Sequence, residues 1–258
     1  MSHIFATGLN GYLLSEYIAS QPSGHLNIAP ITEHTLIPPQ STVLLAGWPT
    51  RLHYDSPDHI SFLNDSFKPL LRQISKSHGT RIILFGTCLE YGKSHFHCHE
   101  YSAITPTSNL GIAKAIASDY AHKLQIPTMH LRIFYPYNYD SPRRGSILWH
   151  LSEHLKTNPD KPFKCSHGLQ LRDFFHTSLL NHLLSKIILS PWTSLHSIVN
   201  VCSGRPRTVR DLLYRYLSFH NLQASFAFGS YPLPSYEPLN FYGSASRLSS
   251  LVGVSSLF

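Results

Sequence analysis

HIFATGLNGYLLSEYIAS, residues 3–20, joins a short apolar run to a helical pattern through a turn that carries two glycines. HIFATG (3–8) reads as a buried strand, and GYLLSEYIAS (11–20) as a helix. Gly8 and Gly11 permit a tight connection between them. A helix that starts there presents unpaired N–H groups and the positive end of its dipole, a setting suited to a pyrophosphate. Gly8, Asn10, Gly11 and Tyr12 are the candidates for contact with a bound dinucleotide. The usual dinucleotide pattern has a third glycine, which lets helix and strand pack closely. Leu14 stands in its place, so an ordinary strand-to-helix turn remains the alternative.

The rest of the chain repeats the alternation. HLNIAP (25–30), STVLLAG (41–47), RIILFGT (81–87) and TMHLRIF (128–134) read as strands. HISFLNDSFKPLLRQISKS (59–77) and SNLGIAKAIASDYAHKLQ (108–125) have helical periodicity. Strands alternating with helices predict an α/β fold, a Rossmann-type doubly wound parallel sheet with right-handed crossovers. Beyond residue 138 the composition turns to Pro, Tyr and His, with helices expected near 145–157, 177–189 and 207–219 and a late strand at 198–204. We read residues 1–138 as the nucleotide-binding domain. Residues 139–258 form a smaller C-terminal substrate lobe interleaved with the last sheet strands. YPLPSYEPLNFYG (231–243) reads as loop, its prolines opposing regular structure.

With 42% hydrophobic and 14% charged residues, the chain is a packed globular protein and not a disordered one. Its formal charge of +7 suits a phosphate-bearing partner. The basic residues form no long run, which argues against nucleic acid. Four widely spaced cysteines without a CxxC do not make a disulfide framework and point to the cytoplasm. The N-terminal residues lack the pattern of a signal peptide, and no apolar stretch suffices to cross a membrane.

Several phrases resemble, in order, those of the extended short-chain dehydrogenase/reductases, the NAD(P)-dependent nucleotide-sugar epimerases and dehydratases. TGLNGYLL (7–14) resembles their TGxxGxxG turn, and STVLLAGW (41–48) their fourth strand. FLND (62–65) resembles the helix that carries an active-site asparagine, here Asn64. FGTCLEYG (85–92) resembles SSxxVYG and places Thr87 at the catalytic Ser/Thr. PTSNLGIAK (106–114) resembles PxSxYGxxK and places Lys114 at the catalytic lysine. LRIFYPYN (131–138), GLQLRDFFH (168–176) and VNVCSGRPRTVRDL (199–212) resemble later elements of the family. The resemblance implies an NAD or NADP cofactor and a nucleoside-diphosphate sugar as ligand. It also implies a homodimer paired through the helices at 59–77 and 108–125. In this family an arginine at the position of Arg172 reaches the sugar nucleotide's diphosphate through forked bonds. A structural Arg172–Asp173 pair is the plainer reading.

One position breaks the pattern. The family's catalytic tyrosine exchanges a proton with a sugar hydroxyl, and the lysine four residues on lowers its pKa and holds the nicotinamide ribose. Leu110 occupies the tyrosine's place and cannot move a proton. Tyr91, Tyr101 and Tyr137 are the substitutes nearest in the motifs. The acid expected at the end of the second strand to hold a ribose hydroxyl is also missing. HLNIAP offers Asn27, and Glu33 lies beyond it. The link from 30 to 41 is too short for a further strand and helix, so the adenosine end of the site is abbreviated and cofactor binding weakened or lost. Two functions stay open. One is a divergent enzyme of nucleotide-sugar metabolism using Thr87, Lys114 and Asn64. The other is an inactive relative that binds a nucleotide or sugar nucleotide and serves a partner.

Three further features are weighed more briefly. His95, His97 and His99 would share one face of an extended strand and could bind a metal. With no fourth ligand placed, a His-rich loop and no metal is the reading adopted. Glu100 resembles an acidic residue between the family's two active-site phrases. RPRTVR (205–210) reads as a solvated helix start, and Arg247 resembles a residue just before the family's C-terminal helix, a region read here as shortened.

Overall fold

The computed structural model describes residues 3–22, 26–32, 34–49, 52–93, 96–192, 195–233 and 238–253. In chain order the first strands are β1 (Ile4–Thr7), β2 (Ile28–Pro30), β3 (Thr42–Leu45), β4 (Arg81–Phe85), β5 (His97–Cys98), β6 (Thr128–Ile133) and β7 (Tyr135–Tyr137). Those that follow are β8 (Phe163–Cys165), β9 (Leu171–Arg172), β10 (Phe174–His176), β11 (His196–Val201), β12 (Arg207–Thr208), β13 (Phe226–Phe228) and β14 (Asn240–Gly243). The helices are α1 (Tyr12–Ala19), α2 (Asp58–Phe62), α3 (Lys68–Ser75), α4 (Asn109–Lys123), α5 (Ile147–Thr157), α6 (Thr177–Leu189), α7 (Val209–Phe219) and α8 (Ser246–Val252).

Six strands form one parallel sheet in the order β11-β6-β4-β3-β1-β2. Both faces of the inner strands are buried, and period-two alternation divides their side chains. Val43, Leu45, Ile82 and Leu84 face one layer, with Leu63, Leu71, Ala113, Ala117 and Ala121 of the π turn, α3 and α4. Leu44, Ile83, Phe85, Leu131 and Val199 face the other, with Leu14, Tyr17, Leu180, Leu184 and Leu248 of α1, α6 and α8. This is the doubly wound Rossmann-type arrangement. Among the described residues the link from β2 back across β1 to β3 contains no helix, as the sequence predicts, and β2 is left at the sheet's edge.

Two local expectations are corrected. The pattern at 59–77 is not one helix: α2 and α3 are separated by a π turn, Leu63–Phe67. Pro69 follows that turn at the start of α3. Proline has no N–H and crowds the carbonyl four residues back, so widening the helix just before it relieves both problems. The tail read as loop contains β14, which pairs with β5 and β9 and thereby joins the histidine segment to the lobe.

The lobe has its own core of Leu148, Leu151, Phe163, Phe174, Leu212 and Tyr216. The central sheet draws β11 from the later part of the chain, and β10 pairs with β7 directly after β6. Asp173, fully buried between β9 and β10, fastens these parts together. Its carboxylate accepts from Ser203 N and Oγ, both at 2.6 Å, from Gly204 N at 3.0 Å and from Gly243 N at 3.1 Å. Burial raises its pKa, and these bonds offset only part of that. No helix among the described residues is long and apolar enough to cross a membrane. All four cysteines are buried thiols outside any disulfide.

Asp173→Ala strips one buried and two half-buried N–H groups of their acceptor. Urea denaturation is expected to show a loss of about 3 kcal/mol, and a loss below about 1 kcal/mol would contradict this fastening role.

Candidate functional site

At the carboxyl ends of β1, β3, β4 and β6 a cavity of about 500 Å³ opens between sheet and lobe. Such a crevice is where open α/β sheets bind their ligands. Its walls hold Gly8, Gly11 and Tyr12 on one side, Thr87, Leu110 and Lys114 on another, and Tyr137, Arg143 and Arg172 toward the lobe.

The glycine turn is built by close backbone approach. Gly8 has φ +72°, and a Cβ there would meet Gly47 Cα at 2.7 Å. Gly47 N donates to Thr7 Oγ1 at 2.9 Å, so the ends of β1 and β3 touch with no side chain between them. Gly11 N donates to Gly8 O at 2.8 Å, and Gly11 caps α1 without using a side chain. Tyr12 lines the cavity, and its hydroxyl is buried with no hydrogen-bond partner. Burial raises its pKa, and nearby Glu16 adds to the effect. Leu14, at the third-glycine position, packs into the core beneath the turn. Asn10 is exposed and does not line the cavity.

Lys114 reaches the cavity because α4 sits close to the strand ends. Ser108 caps α4 by accepting from Gly111 N at 3.2 Å. A Cβ on Gly111 would meet Leu89 O at 2.5 Å, so a glycine lets the helix press against the 3-10 turn Cys88–Tyr91. Lys114 is 5% exposed. Its Nζ donates to Phe85 O at 2.5 Å, at the last residue of β4, and lies 4.3 Å from the centre of the Trp48 ring. Burial pulls its pKa down to about 7, with Glu90 acting the other way. Thr87, two residues past Phe85, lines the same cavity and caps the 3-10 turn, accepting from Leu89 N at 3.3 Å.

A network that sequence reading missed supports this corner. Glu90 is fully buried and accepts from Thr87 N at 2.9 Å, from His130 Nε2 at 3.1 Å and from Arg132 Nε at 3.1 Å. Burial alone would raise the carboxyl's pKa. The charge and bond of His130, the Arg132 guanidinium and the Thr87 N–H together hold it below its ordinary range. A Cβ on Gly86 would lie 2.1 Å from His130 Nε2 and 2.5 Å from Glu90 Oε1, so the network needs a glycine there. Trp48 was missed as well. Its Nε1 donates to His59 Nδ1 at 3.2 Å, and His59 Nε2 faces His53 O at 3.1 Å, which fixes a neutral imidazole with its proton on Nε2. Burial lowers that histidine's pKa, in keeping with this form.

Other expected residues lie elsewhere. Asn64, in the π turn, is exposed, accepts from Lys68 Nζ at 2.8 Å and does not line the cavity. Tyr91 is fully buried and donates to Asn200 Oδ1 at 2.7 Å, so it is no proton donor for the cavity. Tyr101 is 84% exposed and stacks on His99 outside it. Tyr137 does line it, on the lobe side. Leu110 is buried beside Trp48 and Leu63, and its N–H donates to Tyr54 O at 2.8 Å. Arg172 lines the cavity. Its Nη1 donates to Leu171 O at 2.8 Å and Leu239 O at 3.2 Å. Glu100 accepts from Asn200 N at 3.0 Å, and Thr208 caps α7. Asn27 and Arg247 are exposed, away from the cavity. Glu33 and His95 fall outside the described residues. The His97 and His99 rings lie 4.5 Å apart, and no group of three metal-ligating residues occurs among the described residues.

No family model and no curated protein matches this chain. Solved structures match its fold end to end. MoeE5 in complex with UDP-glucuronic acid and NAD aligns at TM-score 0.80 and 17% identity, covering 100% of this chain and 94% of its own. The UDP-glucuronic acid 4-epimerase from Bacillus cereus, with UDP-glucuronic acid and NAD, aligns at 0.80 and 17%, covering 99% and 94%. TunA, an NAD-dependent NDP-hexosamine 5,6-dehydratase, aligns at 0.78 and 18%, covering 99% and 92%. The fold is thus the one that the sequence resemblance implies.

The lowered pKa of Lys114 has a consequence for stability. In the unfolded chain a lysine keeps its proton to about pH 10. Between about 7 and that value the unfolded chain therefore binds more protons, and stability rises with pH. Lys114→Met removes this rise. Thermal unfolding is expected to show the variant gaining more at about pH 6 than at about pH 9, by a few kcal/mol; equal gains would contradict the assignment.

Proposed function

We propose that the chain binds NAD(P) and a nucleoside-diphosphate sugar in this cleft and interconverts the sugar by hydride transfer, as an epimerase, dehydratase or reductase of the cytoplasm. The observation that carries the reading is that Thr87 and Lys114 share one crevice with the glycine turn and Arg172. The residues present fit a dinucleotide's diphosphate. Gly8 leaves no room for a side chain, and the buried Tyr12 hydroxyl lacks a partner that a phosphate oxygen would supply. Nicotinamide, when bound, supplies the hydride acceptor. Lys114 would hold its ribose, Thr87 would orient the reacting oxygen, and Arg172 would reach the sugar nucleotide's diphosphate.

Sharing of the fold with enzymes whose structures contain NAD and UDP-sugars supports the ligand class. Among the described residues no carboxylate stands at the end of β2 for an adenosine ribose, which fits modest affinity and tolerance of NADP. The inactive reading has its own support in Leu110, which replaces the family's proton carrier with a buried alkyl group. Two copies would pair through α3 and α4.

A thermal-shift series separates the readings. With NAD⁺, NADP⁺ and a panel of UDP-, GDP-, CDP- and dTDP-sugars, an enzyme is expected to be stabilised by cofactor and sugar nucleotide together. Stabilisation by the sugar nucleotide alone favours the binding module, and no response to any ligand would overturn both. Leu110→Tyr in the responding protein is expected to raise turnover by about 10²-fold or more. An unchanged rate would count against an intact reaction centre.

A further inference from the structure

We propose that Lys114 itself carries the proton exchanged with the ligand hydroxyl held by Thr87, in place of the tyrosine that Leu110 displaces. The proposal rests on the enzyme reading above and supplies its missing acid–base group.

Geometry selects the amine. Nζ is anchored on Phe85 O, two residues before Thr87, and both side chains line the cleft. An ammonium has three donors. One is spent on that carbonyl, and another faces the Trp48 ring. No carboxylate makes an ion pair with Nζ among the described residues. Glu90 lies behind the Thr87 turn, engaged by His130 and Arg132. From α2 the group facing Lys114 is His59, held neutral by its bonds to Trp48 and His53. The amine thus sits in a buried, nearly uncompensated setting that lets it lose its proton near neutrality.

Competing groups fit less well. Burial pushes Cys88 and Tyr12 far from neutrality. Tyr91 is sealed against Asn200. Tyr137 stands on the lobe wall against Tyr139 and His176. Tyr54, whose carbonyl accepts from Leu110, lines the cleft and is the strongest rival. In the proposed step the neutral amine accepts the hydroxyl proton and becomes an ammonium. The C–H electron pair would pass as hydride to a bound NAD(P)⁺, leaving a carbonyl. The reverse step returns both.

Competitive labelling with acetic anhydride across pH, read by peptide mass spectrometry, measures the amine without any ligand. Lys114 is expected to titrate near neutrality, about a thousandfold in proton affinity below an ordinary exposed lysine. A midpoint above about 9, or no labelling, overturns the proposal. Lys114→Arg retains a cation for the ribose but cannot release its proton. It is expected to keep the thermal shift given by NAD⁺ or NADP⁺ while turnover of the responsive UDP-sugar falls by about 10²-fold or more. In the unmodified protein the pH–rate midpoint should match the labelling midpoint. Ligand binding with turnover retained in Lys114→Arg, or lost instead in Tyr54→Phe, overturns the proposal and leaves the enzyme reading standing. No shift with any ligand overturns the reading, and the proposal with it.

Discussion

A carboxylate cannot stay ionised in a protein interior unless its oxygens are occupied. Glu90 satisfies that requirement with Thr87 N–H, His130 and Arg132, and in doing so it joins the end of β4 to β6. His130 continues the chain to Ser118 on α4 through Nδ1, at 2.8 Å. The three elements that shape this corner of the cleft are therefore tied by one buried charge. Thr87 is held as a cap, and Lys114 is held on Phe85 O, with little freedom for either to move independently.

The same corner is largely apolar. Trp48, Leu110 and Phe85 line the cleft with Lys114 and Thr87, while Tyr12, Arg143 and Arg172 line it toward the glycine turn and the lobe. Electrostatic effects are strong in such a setting, which is why one lysine can shift so far. A tyrosine at 110 would bring a hydroxyl to this corner. Leucine there extends the hydrophobic layer shared by α4 and the sheet instead, and the amine is left as the polar group next to Thr87.

Much of the fold was legible because its signals are local. Runs such as TVLL and RIILF are apolar on both faces, and that marks inner parallel strands. The glycine turn, Thr87 and Lys114 could be placed by order and spacing, and they do line one cleft. What escaped depends on distant partners. Glu90 stands where the family phrase has an apolar residue, and His130 and Arg132 share a strand face two residues apart. Together those were the available signal, but forty residues separate them from the turn. Asn64 matched a motif, yet its side chain points to solvent beside Lys68, because the π turn sets the register of that helix. The Asp173 hub reads locally as half of an Arg–Asp pair, whereas its bonds to the loop after β11 and to β14 come from distant sequence.

Trp48 offers the most direct test that this cleft receives the cofactor. Its ring lies within 4.3 Å of Lys114 Nζ, so a reduced nicotinamide beside that lysine must accept energy from excited indole. Titration with NADH or NADPH should quench tryptophan emission saturably, with sensitised nicotinamide fluorescence. The transfer should weaken in Trp48→Phe and be lost in Gly8→Val. Unchanged emission at saturating dinucleotide, or transfer undiminished by either substitution, would contradict the account.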